Sequence, residues 1–306
     1  KKMAYESDII NIAVVNFKVA SGEKEVNLRR MMDMSRAAAR RGADLILFPE
    51  MALMGYGMFI DESISQEEKI RVTETVNGPS TKAMEQVAKE EGIYIIFGMS
   101  EKLHEEDTDI YNSAVVLGPE GLIGSYQKIH PYGTENMWCK RGETPFMFDT
   151  KWGPISLAIC YDNYQFPELA RYYAWKGARL HLNPTFSAEE VPNDGSRNAW
   201  VRCYQPHLEY LVLTSSIYVA TSNITGWDAA GCYGGGGSMV VGPKTNAFEE
   251  VEVTTYIGDV NDQQVKVLIG TLDLSLANRH QCVDNPWGGG PDYRPSIYKK
   301  MFDEIG

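Results

Sequence analysis

The chain has 306 residues, of which 43% are hydrophobic and 23% are charged. This composition is typical of a soluble globular protein, and the length allows one large domain or two small ones with a sizeable core. The net charge of −12 argues against a nucleic acid or an anionic membrane as a partner. No apolar run approaches the roughly 18 residues that a membrane span needs.

The cysteines and histidines indicate neither a disulfide framework nor a metal site. The five cysteines are scattered, at positions 139, 160, 203, 232 and 282. An odd number of them, in a chain whose residues 1–8 lack an apolar signal core, predicts a reducing cytoplasm. Lys1-Lys2 precede Met3, so we expect residues 1–8 to be flexible or foreign to the natural chain. We interpret His130, His181 and His207 as structural, and expect no metal and no cofactor.

The hydrophobic pattern of the first half predicts alternating strands and helices. Strands are predicted at 10–19, 44–48, 93–99, 112–118 and 122–128, and helices at 26–41 and 81–91. Gly92 is expected to end the second helix, as glycine commonly does. Gly118-Pro119-Glu120-Gly121 is expected to form a hairpin turn between the last two strands.

The second half continues in the same way. Strands are predicted at 154–160, 179–184, 212–223, 238–242 and 265–273. A helix opens at Phe166-Pro167-Glu168, and a further one is expected at 196–208, where Pro206 must interrupt or end it. No linker, repeat or low-complexity segment divides the chain, so we predict a single domain over residues 1–306, with two halves that resemble each other.

Three of the predicted strands deliver a reactive side chain at their carboxyl ends. Glu50 follows the strand at 44–48, Lys128 ends the strand at 122–128, and Cys160 ends the strand at 154–160. In open α/β proteins, ligands bind in the crevice outside these strand ends. Each residue alone has an ordinary interpretation, as a solvated carboxylate, a surface charge or an inert buried thiol. Their equivalent positions on three strands favour a functional site.

The three positions lie within longer motifs. These are Phe48-Pro49-Glu50 with Gly55-Tyr56, Tyr126-Gln127-Lys128-Ile129-His130, Ile159-Cys160-Tyr161-Asp162 with Phe166-Pro167-Glu168, Asn183-Pro184, the run from Gly237 to Pro243, and the run from Arg294 to Tyr298. In order and spacing they resemble the carbon–nitrogen hydrolase (nitrilase) superfamily, in its amidase and carbamoylase-like branch. The resemblance implies an α/β fold with a four-layer αββα sandwich, which pairs into an eight-layer dimer or a larger homo-oligomer.

The residue types suit amide hydrolysis through a thioester. Cys160 would be the nucleophile, and Glu50 the general base, with its pKa raised in a poorly hydrated pocket. Lys128 and the backbone N–H of Tyr161 would stabilise the developing oxyanion. The resemblance further implies that Glu135 positions the lysine and the substrate. Asn183 is interpreted as a structural hydrogen-bonding residue near the site.

Two segments depart from the family pattern. Phe166 begins six residues after Cys160 rather than five, so the segment Asn163-Tyr164-Gln165 carries an extra residue that alters part of the pocket wall. An Arg-Ala-x-Glu-Asn stretch is common in the family, but Leu213-Thr214-Ser215-Ser216 stands in its place before Asn223. A glutamate of the family pattern is therefore missing from this chain.

The substrate class is less constrained than the reaction. Nitrile hydrolases usually follow the cysteine with Trp-Glu, whereas this chain has Tyr161-Asp162, which favours an amide or carbamoyl substrate. Candidate substrate-binding residues are Tyr56, Trp138, Tyr161, Asn163, Phe186 and Trp227. A substrate carboxylate could be held by Arg197, Arg202 or His207, although all three could equally be helix-surface residues.

Three hypotheses remain open. The first is an amidase that hydrolyses a small or medium aliphatic or aromatic amide with water. The second is an N-carbamoyl hydrolase or, with less support, a nitrilase. The third is a catalytically silent assembly or ammonia-transfer partner on this fold, against which the intact Glu50, Lys128 and Cys160 argue.

Overall fold

The computed structural model describes residues 5–189, 199–228, 231–247 and 252–305, with the backbone alone at 189 and 199–203. Its strands are β1 (Ile9–Asn16), β2 (Leu45–Leu47), β3 (Tyr94–Glu101), β4 (Tyr111–Gly118), β5 (Gly121–Gln127), β6 (Phe146–Phe148), β7 (Ile155–Leu157), β8 (Leu180–Pro184), β9 (Ala188–Glu189), β10 (Tyr218–Ser222), β11 (Thr225–Trp227), β12 (Tyr233–Gly235), β13 (Met239–Pro243), β14 (Val253–Gly258) and β15 (Lys266–Asp273). Its α-helices are α1 (Lys24–Arg40), α2 (Gly57–Ile60), α3 (Gln66–Val72), α4 (Pro79–Glu91), α5 (Tyr161–Gln165), α6 (Pro167–Lys176), α7 (Ala199–Ser215) and α8 (Pro295–Asp303). Short 3-10 helices lie at Gly133–Met137, Leu274–Leu276 and His280–Cys282.

Two six-stranded sheets form the centre of the molecule, in the orders β15-β1-β2-β3-β4-β5 and β14-β13-β10-β8-β7-β6. In each sheet three parallel strands are flanked by antiparallel ones: β1, β2 and β3 in the first sheet, and β7, β8 and β10 in the second. The two halves of the chain therefore share one topology, as their sequence patterns predict. A small sheet, β11-β12-β9, lies beside them.

Side chains of each central strand alternate between two buried layers. Ile12 and Val14 of β1 pack in the core between the sheets, together with Leu157 of β7. The intervening Ala13 and Val15 face the other way, towards α1 and α4. Because successive side chains of a strand point to opposite faces, a strand buried on both sides reads as a continuous apolar run. The predicted four-layer αββα sandwich is confirmed, whereas its pairing into an eight-layer dimer stays a prediction.

The outer helix of the second sheet corrects two predictions. We expected Pro206 to interrupt or end a helix at 196–208 and a strand to begin at 212, but α7 continues through Pro206 to Ser215. Proline removes one backbone hydrogen bond and costs about 3 kcal/mol inside a helix. Packing offsets that cost, since the helix buries an apolar face against β13. This face consists of Tyr204, Leu208, Leu211 and Val212.

Residues 5–8, which we expected to be flexible, contact the second sheet. The Arg179 guanidinium lies 4.0 Å from the centre of the Tyr5 ring. It also forms an ion pair with Asp8, and the backbone N–H of Glu6 donates to the carbonyl oxygen of Lys151 at 3.0 Å. This part of the predicted flexible segment is therefore attached to the core. Residues 1–4 of that prediction lie outside the described part of the chain.

Candidate active site

The three reactive residues come from strand ends of both sheets. Glu50 follows β2 and Lys128 follows β5 in the first sheet, while Cys160 follows β7 in the second. The carboxyl ends of β2 and β7 meet because the sheets pack face to face. The arrangement expected from the sequence is thus present in the folded chain.

A buried cluster joins one lysine to two carboxylates. The Lys128 ammonium lies 2.7 Å from Oε1 of Glu50 and 2.8 Å from Oε1 of Glu135, and each of the three side chains is 1% exposed. The Asn112 amide donates to Oε1 of Glu50 at 2.7 Å. Tyr56 donates its hydroxyl proton to Oε1 of Glu135. Glu135 and Lys128 are therefore held together, as the family resemblance implies.

Burial and charge act in opposite directions on this cluster. Burial raises the pKa of Glu50, although the adjacent Lys128 lowers it. For Lys128, burial opposes the charged form, but the carboxylates of Glu50 and Glu135 overcome this and hold its pKa well above the usual value. The lysine is consequently a cation, and Glu50 is a carboxyl group whose pKa lies above its usual value.

One carboxylate oxygen of Glu50 takes no part in this hydrogen-bond network. Oε1 accepts from both Lys128 and Asn112, whereas Oε2 is buried and has no hydrogen-bond partner among the residues that the structure describes. A buried polar atom without a partner is costly and uncommon in folded proteins. It is therefore available to a proton or a ligand in the adjoining cavity.

Cys160 lies on a strained turn between β7 and α5. Its φ of 49° and ψ of −107° are rare for a residue other than glycine. Its backbone N–H is fixed by the side-chain oxygen of Asn183 and the carbonyl oxygen of Pro184, both at 2.9 Å. Burial raises the pKa of the Cys160 thiol to about 12, although hydrogen bonds from the Thr185 hydroxyl and the Phe186 backbone N–H lower it. The resting thiol is therefore protonated at neutral pH.

Asp162 connects the segments that carry Lys128 and Cys160. Its buried carboxylate accepts from the Tyr126 hydroxyl at 2.7 Å and from the backbone N–H groups of Ile159 at 3.1 Å and His130 at 2.9 Å. The His130 ring bonds it as well, at 2.8 Å, and stacks on Phe166 with ring centres 3.6 Å apart. The loop after Lys128 is thereby tied to the turn that carries Cys160.

Asn163 lies behind the site rather than in it. Its amide donates to the carbonyl oxygen of Ala158 at 2.8 Å and to Asn183 at 2.7 Å, while its oxygen bonds the His181 ring at 2.6 Å. We expected Asn163 to contact substrate, but its polar atoms are used within the protein. Burial lowers the pKa of His181 to about 3, so this ring is neutral and structural, as predicted.

A cavity of about 160 Å³ adjoins the cluster. Its described lining comprises Glu50, Tyr56, Ile60, Tyr132, Glu135, Cys160, Tyr161, Tyr164, Phe186, Ser187, Ala188, Tyr204, His207 and Cys232. Six residues that the sequence predicts for the site line this cavity, namely Glu50, Tyr56, Glu135, Cys160, Tyr161 and Phe186. Lys128 contacts two of them, Glu50 and Glu135.

Four other candidates for the pocket are not part of its described lining. Trp138 stands behind the cavity wall, against Tyr56 and Phe59 with ring centres 6.3 and 4.7 Å away. Trp227 is 58% exposed and packs on Tyr233. Arg197 and the side chain of Arg202 lie outside the described residues.

Comparison with known proteins gives the family. A family model for carbon–nitrogen hydrolases matches residues 11–278. The chain belongs to the carbon–nitrogen hydrolase family. Relatives of this hydrolase include a nitrilase of Pyrococcus abyssi, 29% identical over 90% of this chain and 94% of the relative. An N-carbamoylputrescine amidase of Solanum tuberosum is 28% identical over 98% of this chain and 97% of the relative. An omega-amidase of Xenopus laevis is 30% identical over 82% of this chain and 91% of the relative.

Solved structures of similar fold include the amidase from Nesterenkonia sp. AN1. One variant shows covalent addition of the acetamide moiety of fluoroacetamide at the active site cysteine; its TM-score is 0.72 at 22% identity, over 95% of this chain and 96% of that one. Another variant, in complex with butyramide, gives a TM-score of 0.69 at 22% identity and the same coverage. At this identity the likeness concerns the fold of the hydrolase.

Sequence reasoning missed several residues of this carbon–nitrogen hydrolase site. Asn112 is the second residue of β4 and reaches Glu50, which follows β2, because β3 pairs with both of these strands; no local pattern indicates this contact. Thr185, whose hydroxyl hydrogen-bonds the Cys160 thiol, directly follows the Asn183-Pro184 motif. Tyr164 lies in the segment with the extra residue, which forms the separate helix α5 and turns this side chain into the cavity wall. The extra residue between Cys160 and Phe166 was the feature of the sequence that could have indicated Tyr164.

Metal-binding clusters and membrane-spanning helices are both absent from the described part of the hydrolase. Within the described residues, no group of three or more His, Cys, Asp or Glu side chains is placed to hold a metal ion. Over the same ranges, none of the helices is long and apolar enough to cross a membrane.

Proposed function

We propose that this carbon–nitrogen hydrolase cleaves a linear amide through a thioester on Cys160, and releases a carboxylic acid and ammonia or an amine. One observation carries the proposal: Oε2 of Glu50 is buried without a described partner, on the cavity that Cys160 lines. An unpaired carboxylate oxygen beside a protonated thiol is the arrangement that a general base requires.

The first half of the reaction forms the thioester. Glu50 takes the proton of Cys160 as the sulfur attacks the amide carbon, because a thiol with a pKa of about 12 is not ionised beforehand. The carbonyl oxygen becomes an oxyanion, which the Lys128 ammonium stabilises. The backbone N–H of Tyr161, in the first turn of α5, has no partner within that helix and provides a second donor.

The second half releases the acid. Glu50 passes its proton to the amide nitrogen, the C–N bond breaks, and ammonia or an amine leaves. Glu50 then deprotonates a water molecule, which attacks the thioester carbon. The carboxylic acid departs, and the sulfur of Cys160 regains a proton. Glu135 acts through Lys128, since it holds the ammonium at 2.8 Å and is itself held by Tyr56.

The second candidate reaction is hydrolysis of an N-carbamoyl compound, for which the same groups would serve. It is supported by the likeness to an N-carbamoylputrescine amidase over 98% of this chain. The products distinguish the two reactions, because hydrolysis of a carbamoyl compound releases carbon dioxide with ammonia, whereas hydrolysis of an amide releases no carbon dioxide. A nitrile substrate has less support, since Tyr161-Asp162 replace the Trp-Glu usual in nitrile hydrolases. The cytoplasmic location and the homo-oligomer stay predictions.

Intact-protein mass spectrometry tests the proposal. Wild type and Glu50→Gln are incubated briefly with a pool of amides, carbamoyl compounds and nitriles, with Cys160→Ser as the matched control. We expect an acyl adduct that is absent from the control, and its added mass names the acyl group. Absence of any adduct, together with a Cys160 thiol that does not react with iodoacetamide, would show that the cysteine is a structural residue.

A further inference from the structure

Three tyrosines of the cavity wall use their hydroxyl groups for hydrogen bonds within the protein. The Tyr164 hydroxyl donates to Thr185 at 2.9 Å, and the Tyr204 hydroxyl bonds Thr221 at 2.7 Å. The Tyr56 hydroxyl is used by Glu135. These three tyrosines therefore present ring carbons to the cavity, although tyrosine is amphipathic by composition.

An apolar platform continues this wall. Phe186 stacks on Tyr56, with ring centres 4.6 Å apart and planes inclined by 25°, and Ile60 lies in the same lining. The cavity measures about 160 Å³. For comparison, an apolar cavity of about 150 Å³ binds benzene. The space thus matches one aromatic ring or a branched alkyl group of similar size.

The charges of the described lining disfavour a carboxylate on the acyl group. Two carboxylates, those of Glu50 and Glu135, belong to that lining, and lysine and arginine are absent from it. A substrate carboxylate buried there would face these acidic groups without a lysine or arginine partner, which is strongly unfavourable.

On these grounds we infer that the enzyme acts on amides whose acyl group carries no carboxylate, is apolar and is about the size of a phenyl ring; the inference rests on the proposed amide hydrolysis. Tyr164 belongs to the wall that would contact this group, in the segment that carries the extra residue before Phe166. The stacked pair of Tyr56 and Phe186 supplies the opposing surface.

The test compares kcat/KM for four amides by ammonia release. Phenylacetamide carries the ring, acetamide lacks it, succinamate adds a carboxylate, and β-alaninamide adds an ammonium. We expect phenylacetamide to exceed acetamide by at least about tenfold, since burying a ring removes apolar surface from water. It should exceed succinamate by about a hundredfold or more, because of the buried carboxylate, and β-alaninamide, which lacks the ring, by at least about tenfold.

Two variants connect the preference to the wall. Tyr164→Ala should reduce the ratio of phenylacetamide to acetamide at least fivefold, whereas Tyr164→Phe keeps the ring and should keep the ratio. A preference of wild type for succinamate or β-alaninamide would overturn the inference and leave amide hydrolysis standing. Ammonia from none of the four amides, with Cys160 still alkylated by iodoacetamide, would also overturn the inference. The same result with an unreactive Cys160 would instead refute the proposed function.

Discussion

Replacing Lys128 with methionine should destabilise the protein strongly and in a pH-dependent way. The lysine makes ion pairs of 2.7 and 2.8 Å with Glu50 and Glu135, and all three side chains are 1% exposed. At an effective dielectric constant of about 20, each attraction is about 6 kcal/mol before the cost of burial. Removing one partner of a buried pair typically costs about 3–5 kcal/mol in net stability, and we expect this range for Lys128→Met near pH 8.

The pH dependence follows from proton uptake. Without Lys128, the pKa of Glu50 rises further above its unfolded value, because burial already raises it and the opposing cation is gone. A group whose folded pKa is raised binds more protons in the folded state, so stability falls as pH rises from the unfolded pKa through the folded one. The deficit of Lys128→Met should therefore be smaller at pH 5 than at pH 8, by about 1.4 kcal/mol per pH unit for each bound proton.

Urea unfolding followed by tryptophan fluorescence at matched protein concentration measures both effects. Lys89→Met is the matched control, because Lys89 pairs with Glu85 at 2.6 Å but is 49% exposed. Pairs of this kind on a helix surface contribute about 0.5 kcal/mol or less. A Lys128→Met protein within about 1 kcal/mol of wild type, or one whose deficit is equal at both pH values, would refute the assignment of Lys128 as the buried counter-charge.

The remaining predictions concern the thiol and the Glu50 turn. In Glu50→Gln, alkylation of Cys160 by iodoacetamide should accelerate steadily from pH 7 to pH 10, because burial still raises the thiol pKa after the Glu50 charge, which also raises it, has been removed. Wild type should react faster at pH 7, and equal rates would contradict Glu50 as the base. Gly98→Ala should reduce amide hydrolysis at least about tenfold, since its Cβ would lie 2.3 Å from the backbone nitrogen of Met51 and 2.7 Å from the carbonyl carbon of Glu50. In the control Gly118→Ala, the new methyl group meets side-chain atoms only, and an equally active Gly98→Ala enzyme would show that the Glu50 turn tolerates displacement.

The strand ends of the site were predictable because they depend on local pattern. Buried strands read as apolar runs, and the polar residue that ends each run is visible in the sequence. Glu50, Lys128 and Cys160 could be placed at one edge on this basis. The layers of the sandwich could not be deduced from the runs themselves, and their prediction depended on the family resemblance.

The failures have a common origin in tertiary contacts. Residues 212–215 include the β-branched Val212 and Thr214, which suit a strand, but packing of α7 on the second sheet keeps the segment helical. The same packing retains Pro206 inside the helix. Asn163 carries a polar amide close to the nucleophile, yet it points to His181 and Asn183 because α5 turns at the extra residue. Such directions depend on neighbours that are distant in sequence.

The origin of the site in two sheets has a consequence for how activity is acquired during folding. Glu50 and Lys128 belong to the first sheet and Cys160 to the second, and Asp162 connects their loops. Neither half of the chain can form the catalytic arrangement alone. Enzymatic turnover should therefore require both halves of the chain, the more so because the first sheet itself contains β15 from the second half. Two separately expressed halves, split in the turn between β6 and β7, would regain activity only by associating with each other.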